Sequence, residues 1–339
     1  MEMYLKKTMF SPYTKYKNNL IVSLLCKINA PSIIDIGCNV NPLLKDEHSL
    51  RYLAEKYNIE YFGLDINSDY FDPTYAKSLG INPGRIYQDV KGKVGNIKNL
   101  PFKDNSINYA VCADVLEHID KPTSALKEMR RILTKKGRLV LVIPSLYKLD
   151  ALRLKYINDK RASTHINKLP LNKWQTFLEK SGFRINPELS KPLGIASGLT
   201  YLSWLSPSFV PIKKSATNKE RLNKYSKSHK KAKKIITKLD NKIDYFLLKN
   251  NQYMEEIVQL IKKGKIKEVY KNIHNLIVEK FSTGLSMNEI KSLNQFYNLF
   301  CYSKVSKKAE RKLVTLITKI KNPTLILGNS IILTLEKIN

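Results

Sequence analysis

Short apolar runs alternate with amphipathic stretches along the front half of the chain, the pattern of a parallel sheet flanked by helices. SIIDIG, Ser32 to Gly37, and EYFGLDI, Glu60 to Ile66, are compact apolar runs. INYAVCA, Ile107 to Ala113, and GRLVLVIP, Gly137 to Pro144, are continuously apolar, as strands covered on both faces are. Between these two, Pro122 to Gly137 predicts a helix: Pro at the first turn, Ala125, Leu126, Met129, Ile132 and Leu133 on one face, and a closing Gly. Pro170 to Phe183 repeats that pattern, with Trp174, Phe177 and Leu178 on one face and Gly182 at its end.

Beyond Gly182 the pattern changes. Pro192 to Ile212 carries no charge, yet three prolines and several Gly, Ser and Thr residues make it too broken for a membrane span. It reads as a buried or substrate-facing segment, with shallow membrane docking as the alternative. Helical periodicity then runs from Asn218 to Lys321, as in Ile235, Ile236, Leu239, Ile243, Phe246 and Leu247. Ser330 to Ile338 alternates and is β-branched, which predicts a strand. The expected organisation is a helical extension over 1–30, an α/β domain over 31–212, a Lys-rich helical module over 213–325, and a final strand over 326–339 that can return to the sheet. In that case the helices are an insertion.

Length and composition narrow the class. A chain of 339 residues, 43 % hydrophobic, is long enough for two cores and is neither collagen-like nor low-complexity. Cys26, Cys38, Cys112 and Cys301 include no CxxC pair, so neither a disulfide framework nor a zinc ribbon is read from them. With no apolar leader at its start, the expectation is an intracellular protein, with peripheral membrane attachment as an option. The formal net charge of +30 favours an anionic partner, a nucleic acid or an anionic membrane surface. Lys213 to Lys238 is its densest stretch, with eleven basic residues against the single acid Glu220.

The chemistry concentrates in IIDIGCNVNP, Ile33 to Pro42. An acid at the end of a buried strand, followed by a Gly turn, places a carboxylate and backbone amides at the carboxyl edge of the sheet, where ligands of open α/β folds bind. Asp65 at the tip of the next strand can accept two hydrogen bonds from a ribose diol, which points to a nucleoside-containing cofactor. The GxGxxG turn of dinucleotide binders is broken, because Asn39 and Pro42 hold the later glycine places.

Asp35, Gly37 and Asp65, followed by GNIKNLPFKDNSINYAVCADVLEHIDKPTSALKEMRRILTKKGRLVLVIPS, resemble the class I S-adenosylmethionine-dependent methyltransferases, specifically the type-11 group, from about Ile33 to Phe183. The resemblance implies a Rossmann-like, doubly wound, seven-stranded sheet and S-adenosylmethionine as cofactor. It implies that Asp35, the Gly37 turn and Cys38 lie against the methionine part, that Asp65 binds the ribose hydroxyls, and that Ile66 beside it is a cofactor contact. Asn96 stands where the family usually has Asp, beside the adenine amino group, with a carbonyl that can still accept that bond. Ile97 offers an apolar face to the ring, and Asp114 lines the cofactor near the methyl group.

Asp114, His118 and His165 are the candidate catalytic residues, each with a structural rival: His118 can orient its loop and His165 can be a surface histidine. No histidine spacing reads as a metal site. Direct in-line transfer to oxygen or nitrogen of a small-molecule, glycan or lipid acceptor is the first functional reading. An RNA or nucleic-acid methyltransferase gripping phosphates through the basic module is the second, and a non-catalytic binding module on the same fold is the third.

Overall fold

The computed structural model describes residues 9–144, 165–167, 169, 171–195, 216–301 and 330–338. The chain divides into two compact units, one of residues 1–144, 173–191 and 332–339, the other of 145–172 and 192–331.

In the first unit the elements run α1 (Pro12–Lys27), β1 (Ser32–Ile36), α2 (Leu50–Lys56), β2 (Glu60–Asp65), α3 (Pro73–Ser78), β3 (Gly92–Val94), β4 (Ile107–Ala113), α4 (Pro122–Ile132), β5 (Leu133–Pro144), α5 (Leu171–Lys180), β6 (Phe183–Leu193) and β7 (Ser330–Lys337). The seven strands form one sheet in the order β3-β2-β1-β4-β5-β7-β6. β1 to β5 pair in parallel, with Asp35 level with Gly63 on β2 and Val111 on β4. β7 runs against β6: Thr334 donates its amide to Ser190 Oγ at 3.1 Å, Glu336 takes Asn186 and Arg184 at 2.9 Å, and the Ile338 amide reaches the Gly182 carbonyl at 2.9 Å. The last strand therefore enters the sheet between β5 and β6, and the helical segment lies between β6 and β7 in the chain.

Local chemistry sets the helix ends. Ser11 caps α1 by accepting the Thr14 amide at 3.1 Å, with Pro12 at the first turn. The helix expected to reach Gly137 stops at Ile132, because Leu133 is already extended and pairs with Ile107 of β4. The register then shifts before Arg138 meets Tyr109, so the polar Thr134 to Lys136 step bulges from the strand. One face of the sheet buries Ile33, Tyr61, Val111, Val140, Val142 and Ile332 under Ile21, Val22 and Leu25 of α1 and Leu50, Leu53 and Ala54 of α2. Each such Val, Leu or Ile side chain contributes about 1.5–3 kcal/mol by leaving water.

The second unit contains α6 (Ala216–Lys249), α7 (Asn251–Lys262), α8 (Ile266–Lys280) and α9 (Met287–Cys301). Ala232, Ile235, Ile236, Leu239, Ile243 and Leu247 form the buried stripe of α6. Asp244, fully buried on the same helix, accepts the amides of Gly194 and Ile195 at 2.6 and 2.8 Å. Most of the uncharged Pro192 to Ile212 segment, and the side chains of the first half of Lys213 to Lys238, lie outside the described residues. Among the described residues no helix is long and apolar enough to cross a membrane.

Candidate functional site

The carboxyl ends of β1, β2 and β4 meet at one edge of the sheet. Gly37 leaves β1 at φ +77° and turns the chain, and its amide and that of Cys38 both reach the Leu64 carbonyl, at 2.7 and 3.1 Å. Asn39 takes φ +52°, a left-handed conformation that Asn tolerates better than most residues. Its amide is held by Asp65 Oδ2 at 2.9 Å, and its side-chain carbonyl accepts the Val40 amide at 2.7 Å. Pro42 fits because the neighbouring strand has a glycine beside it: a Cβ on Gly63 would stand 2.7 Å from Pro42 Cγ and 2.9 Å from Cys38 Sγ. The departures at Asn39 and Pro42 thus keep a tight loop. Its first three amides, however, are bonded within the protein, so ligand recognition at this edge falls to side chains.

Asp35 is only 2 % exposed. Its Oδ2 accepts Tyr61 Oη at 2.9 Å and Asn41 Nδ2 at 3.0 Å, while Asn41 Oδ1 takes the Leu50 amide at the start of α2. The carboxyl therefore braces the loop against β2 and α2. Burial pushes its pKa up to about 6, against the pull of those hydrogen bonds and of the nearby Lys17 charge. A carboxyl raised from 3.8 to about 6 binds a proton more tightly folded than unfolded, so the stability it lends is complete below pH 4 and is lost as pH rises through 6. The shift is worth about 3 kcal/mol at 1.36 kcal/mol per unit. Compared with Asp35→Asn in urea titrations from pH 4 to 7, the native protein is expected to lose that margin progressively. A pH-independent difference would show the carboxyl ionised throughout.

Asp65 closes β2 with one oxygen on the Asn39 amide and the other on the Asn67 amide at 3.1 Å, leaving each oxygen a further acceptor direction. Beside it Ile66 is 71 % exposed, an apolar side chain bare at a strand tip. After β3, Asn96 is exposed and its carbonyl accepts the Lys98 amide at 2.8 Å, while Ile97 is buried. Asp114 follows β4 at φ +56°, a strained backbone of the kind that collects at functional sites. Its Oδ2 pairs with Lys17 Nζ at 2.7 Å. The Cys38 thiol is buried and pushed far up by desolvation and then by Asp35 and Asp65, so it is no nucleophile at neutral pH.

The fold thus brings Asp35, Gly37, Cys38, Asp65, Ile66 and Asp114 to one edge, with Asn96 and Ile97 following the neighbouring strand β3. His118 is exposed in the turn Leu116–His118, its amide on the Val115 carbonyl at 2.9 Å. His165 belongs to the second unit. Lys17 was not legible as a site residue: it faces Asp114 across 97 positions of sequence, and its TKYKNN context looks like any polar helix face. The donor set suits a ligand that carries a diol, an apolar ring, cations and a carboxylate together: acids at three strand tips, an uncovered isoleucine and one ammonium.

Residues 35–141 match the family model described as a methyltransferase domain. A stretch of 80 residues is 38 % identical to an uncharacterized protein of Methanocaldococcus jannaschii, covering 23 % of this chain and 32 % of that one. Another of 83 residues is 34 % identical to the ubiquinone/menaquinone biosynthesis C-methyltransferase of Rickettsia prowazekii, covering 24 % and 32 %. The chain spans about a third of the length of these curated relatives. Among solved structures, a putative sarcosine dimethylglycine methyltransferase from Galdieria sulphuraria aligns at 12 % identity and a TM-score of 0.44, over 95 % of this chain and 85 % of that one.

Proposed function

We propose, from a front unit that belongs to the class I S-adenosylmethionine-dependent methyltransferases, that this chain transfers the methyl group of S-adenosylmethionine to an oxygen or nitrogen of a small-molecule, glycan or lipid acceptor. The observation that carries the reading is the set of three carboxyls, Asp35, Asp65 and Asp114, at the adjacent tips of β1, β2 and β4, with Lys17 among them.

When bound, the cofactor supplies an electrophilic methyl group on a sulfonium, so the protein's work is alignment and exclusion of water. Asp65 would receive the ribose hydroxyls on its two free acceptor directions. Ile66 and Ile97 would offer the adenine apolar cover, and the Asn96 carbonyl would accept from its amino group. Asp35 and Lys17 would hold the ammonium and carboxylate of the methionine end. Asp114 would line the cofactor near its methyl group and, with His118, is a candidate to take a proton from the acceptor. The second reading is a carbon acceptor, which the C-methyltransferase relative from Rickettsia favours.

Calorimetry with S-adenosylmethionine tests the site. Binding is expected, and Asp65→Ala is expected to weaken it about 10- to 100-fold, the loss of charge-assisted hydrogen bonds. Absence of binding heat and of any thermal shift would leave a methyltransferase fold that serves as a binding module. A methyl-tracer assay on cell extract divided into RNA, lipid, glycan and protein fractions then assigns the acceptor class.

A further inference from the structure

α6 carries an unbroken basic line on its outer face. Lys227, Lys231, Lys234, Lys238 and Lys242 are exposed and recur every three or four residues, which puts them on one side of the helix. Tyr245 and Lys249 continue the line at the same spacing. Tyr245 is 62 % exposed, and Lys249 Nζ stands 4.4 Å from its ring centroid. From Lys227 to Lys249 the line is about 33 Å long at 1.5 Å per residue. The acids of this part of α6, Asp240 and Asp244, are buried and do not interrupt it. Among the described residues its one ion pair is Lys238 with Glu289 of α9, at 2.5 Å.

We propose that this line is a binding surface for single-stranded nucleic acid, with the lysines on successive phosphates and the Tyr245 ring stacking on an unpaired base. A linear array of ammonium groups suits a linear polyanion, and its length falls within the about 4–16 nucleotides that such surfaces cover. A bilayer fits less well. Ala232, Ile235, Ile236, Leu239, Ile243 and Leu247 of α6 are buried, so among the described residues no aliphatic margin flanks the lysines to enter the acyl boundary. An exposed tyrosine on the crest of a charge stripe, by contrast, is what a base needs. The surface is independent of the methyl-transfer reading, since it lies in the other unit and uses none of that site's residues.

The test uses the full chain and a fluorescent single-stranded RNA 20-mer, read by anisotropy from 50 to 300 mM salt. Binding is expected to weaken steeply with salt. The variant Lys227→Gln/Lys231→Gln/Lys234→Gln/Lys242→Gln is expected to bind roughly 100-fold more weakly at low salt, with a log–log salt slope flatter by about 3. Tyr245→Ala should cost roughly tenfold. A control with Lys262, Lys263, Lys271 and Lys291 changed to Gln, all exposed and off the line, should bind as the native chain does. Circular dichroism verifies that every variant keeps its helices.

No binding by the native chain overturns the proposal. So does an equal loss in the off-line control, which would mean diffuse attraction to a +30 protein. Retention on anionic phosphatidylserine vesicles without RNA binding would make the stripe a membrane contact instead. Each readout is separate from cofactor calorimetry, so failure of one reading leaves the other standing.

Discussion

Gly37→Ala is expected to remove about 2–4 kcal/mol of stability from the front unit and to weaken S-adenosylmethionine binding about tenfold or more. Two costs add. At φ +77° an Ala incurs the left-handed penalty of about 1–2 kcal/mol. Its Cβ would also stand 2.4 Å from Val115 Cγ2. Val115 cannot yield freely, because it follows Asp114, whose backbone is itself at φ +56° and whose amide is tied to the Val142 carbonyl at 3.0 Å. Moving Val115 therefore disturbs the carboxyl proposed to lie nearest the transferred methyl group. Urea unfolding and calorimetry measure the two effects. In the double variant Gly37→Ala/Val115→Ala the steric part should return and the backbone part should persist. A single variant within 1 kcal/mol of the native protein, on the scale of these two penalties, would sink the account.

The second large effect is expected at Arg51, whose side chain is 1 % exposed. Nη1 donates to the carbonyls of Pro42 and Asp89, both at 2.6 Å, Nη2 to Asp89 Oδ2 at 2.6 Å, and Nε to Glu55 at 3.1 Å. The guanidinium lies 3.6 Å from the Tyr87 ring centroid. It fastens the loop after β1 to the segment that leads into β3. Arg51→Met removes these donors, strands the buried Pro42 carbonyl, and is expected to cost about 3 kcal/mol, at the lower end for a broken buried charge because Asp89 is largely exposed. Arg51→Lys should rescue little, since one ammonium cannot replace a planar fork that bonds and stacks at once. Denaturant unfolding of the pair decides it: a Lys variant as stable as the native chain would mean that charge alone matters there.

The strands carrying Asp35, Asp65 and Asp114 were legible because each is a short apolar run whose last residues break the pattern with an acid or a glycine. The end of α4 was not, since Leu133 satisfies helical spacing equally well and only its pairing with Ile107 makes it a strand residue. The loop after β1 was half legible. Its glycine turn showed in the sequence, whereas the compensation for Pro42 by Gly63 depends on two strands lying side by side.

What the sequence determined by itself was the strands β1, β2, β4, β5 and β7, the helices α4 and α5, the acids at strand ends and the basic character of the later helices, because periodicity and composition act over a few neighbouring residues. Tertiary structure alone decided that β7 slots between β5 and β6, that Lys17 meets Asp114, that Asp35 is buried against Tyr61 and Asn41, and that the core takes the opposite side of α6 and leaves its lysines and Tyr245 exposed. These depend on pairings between distant segments and on which side of a helix the core claims, and such energies exist only once the chain has closed on itself.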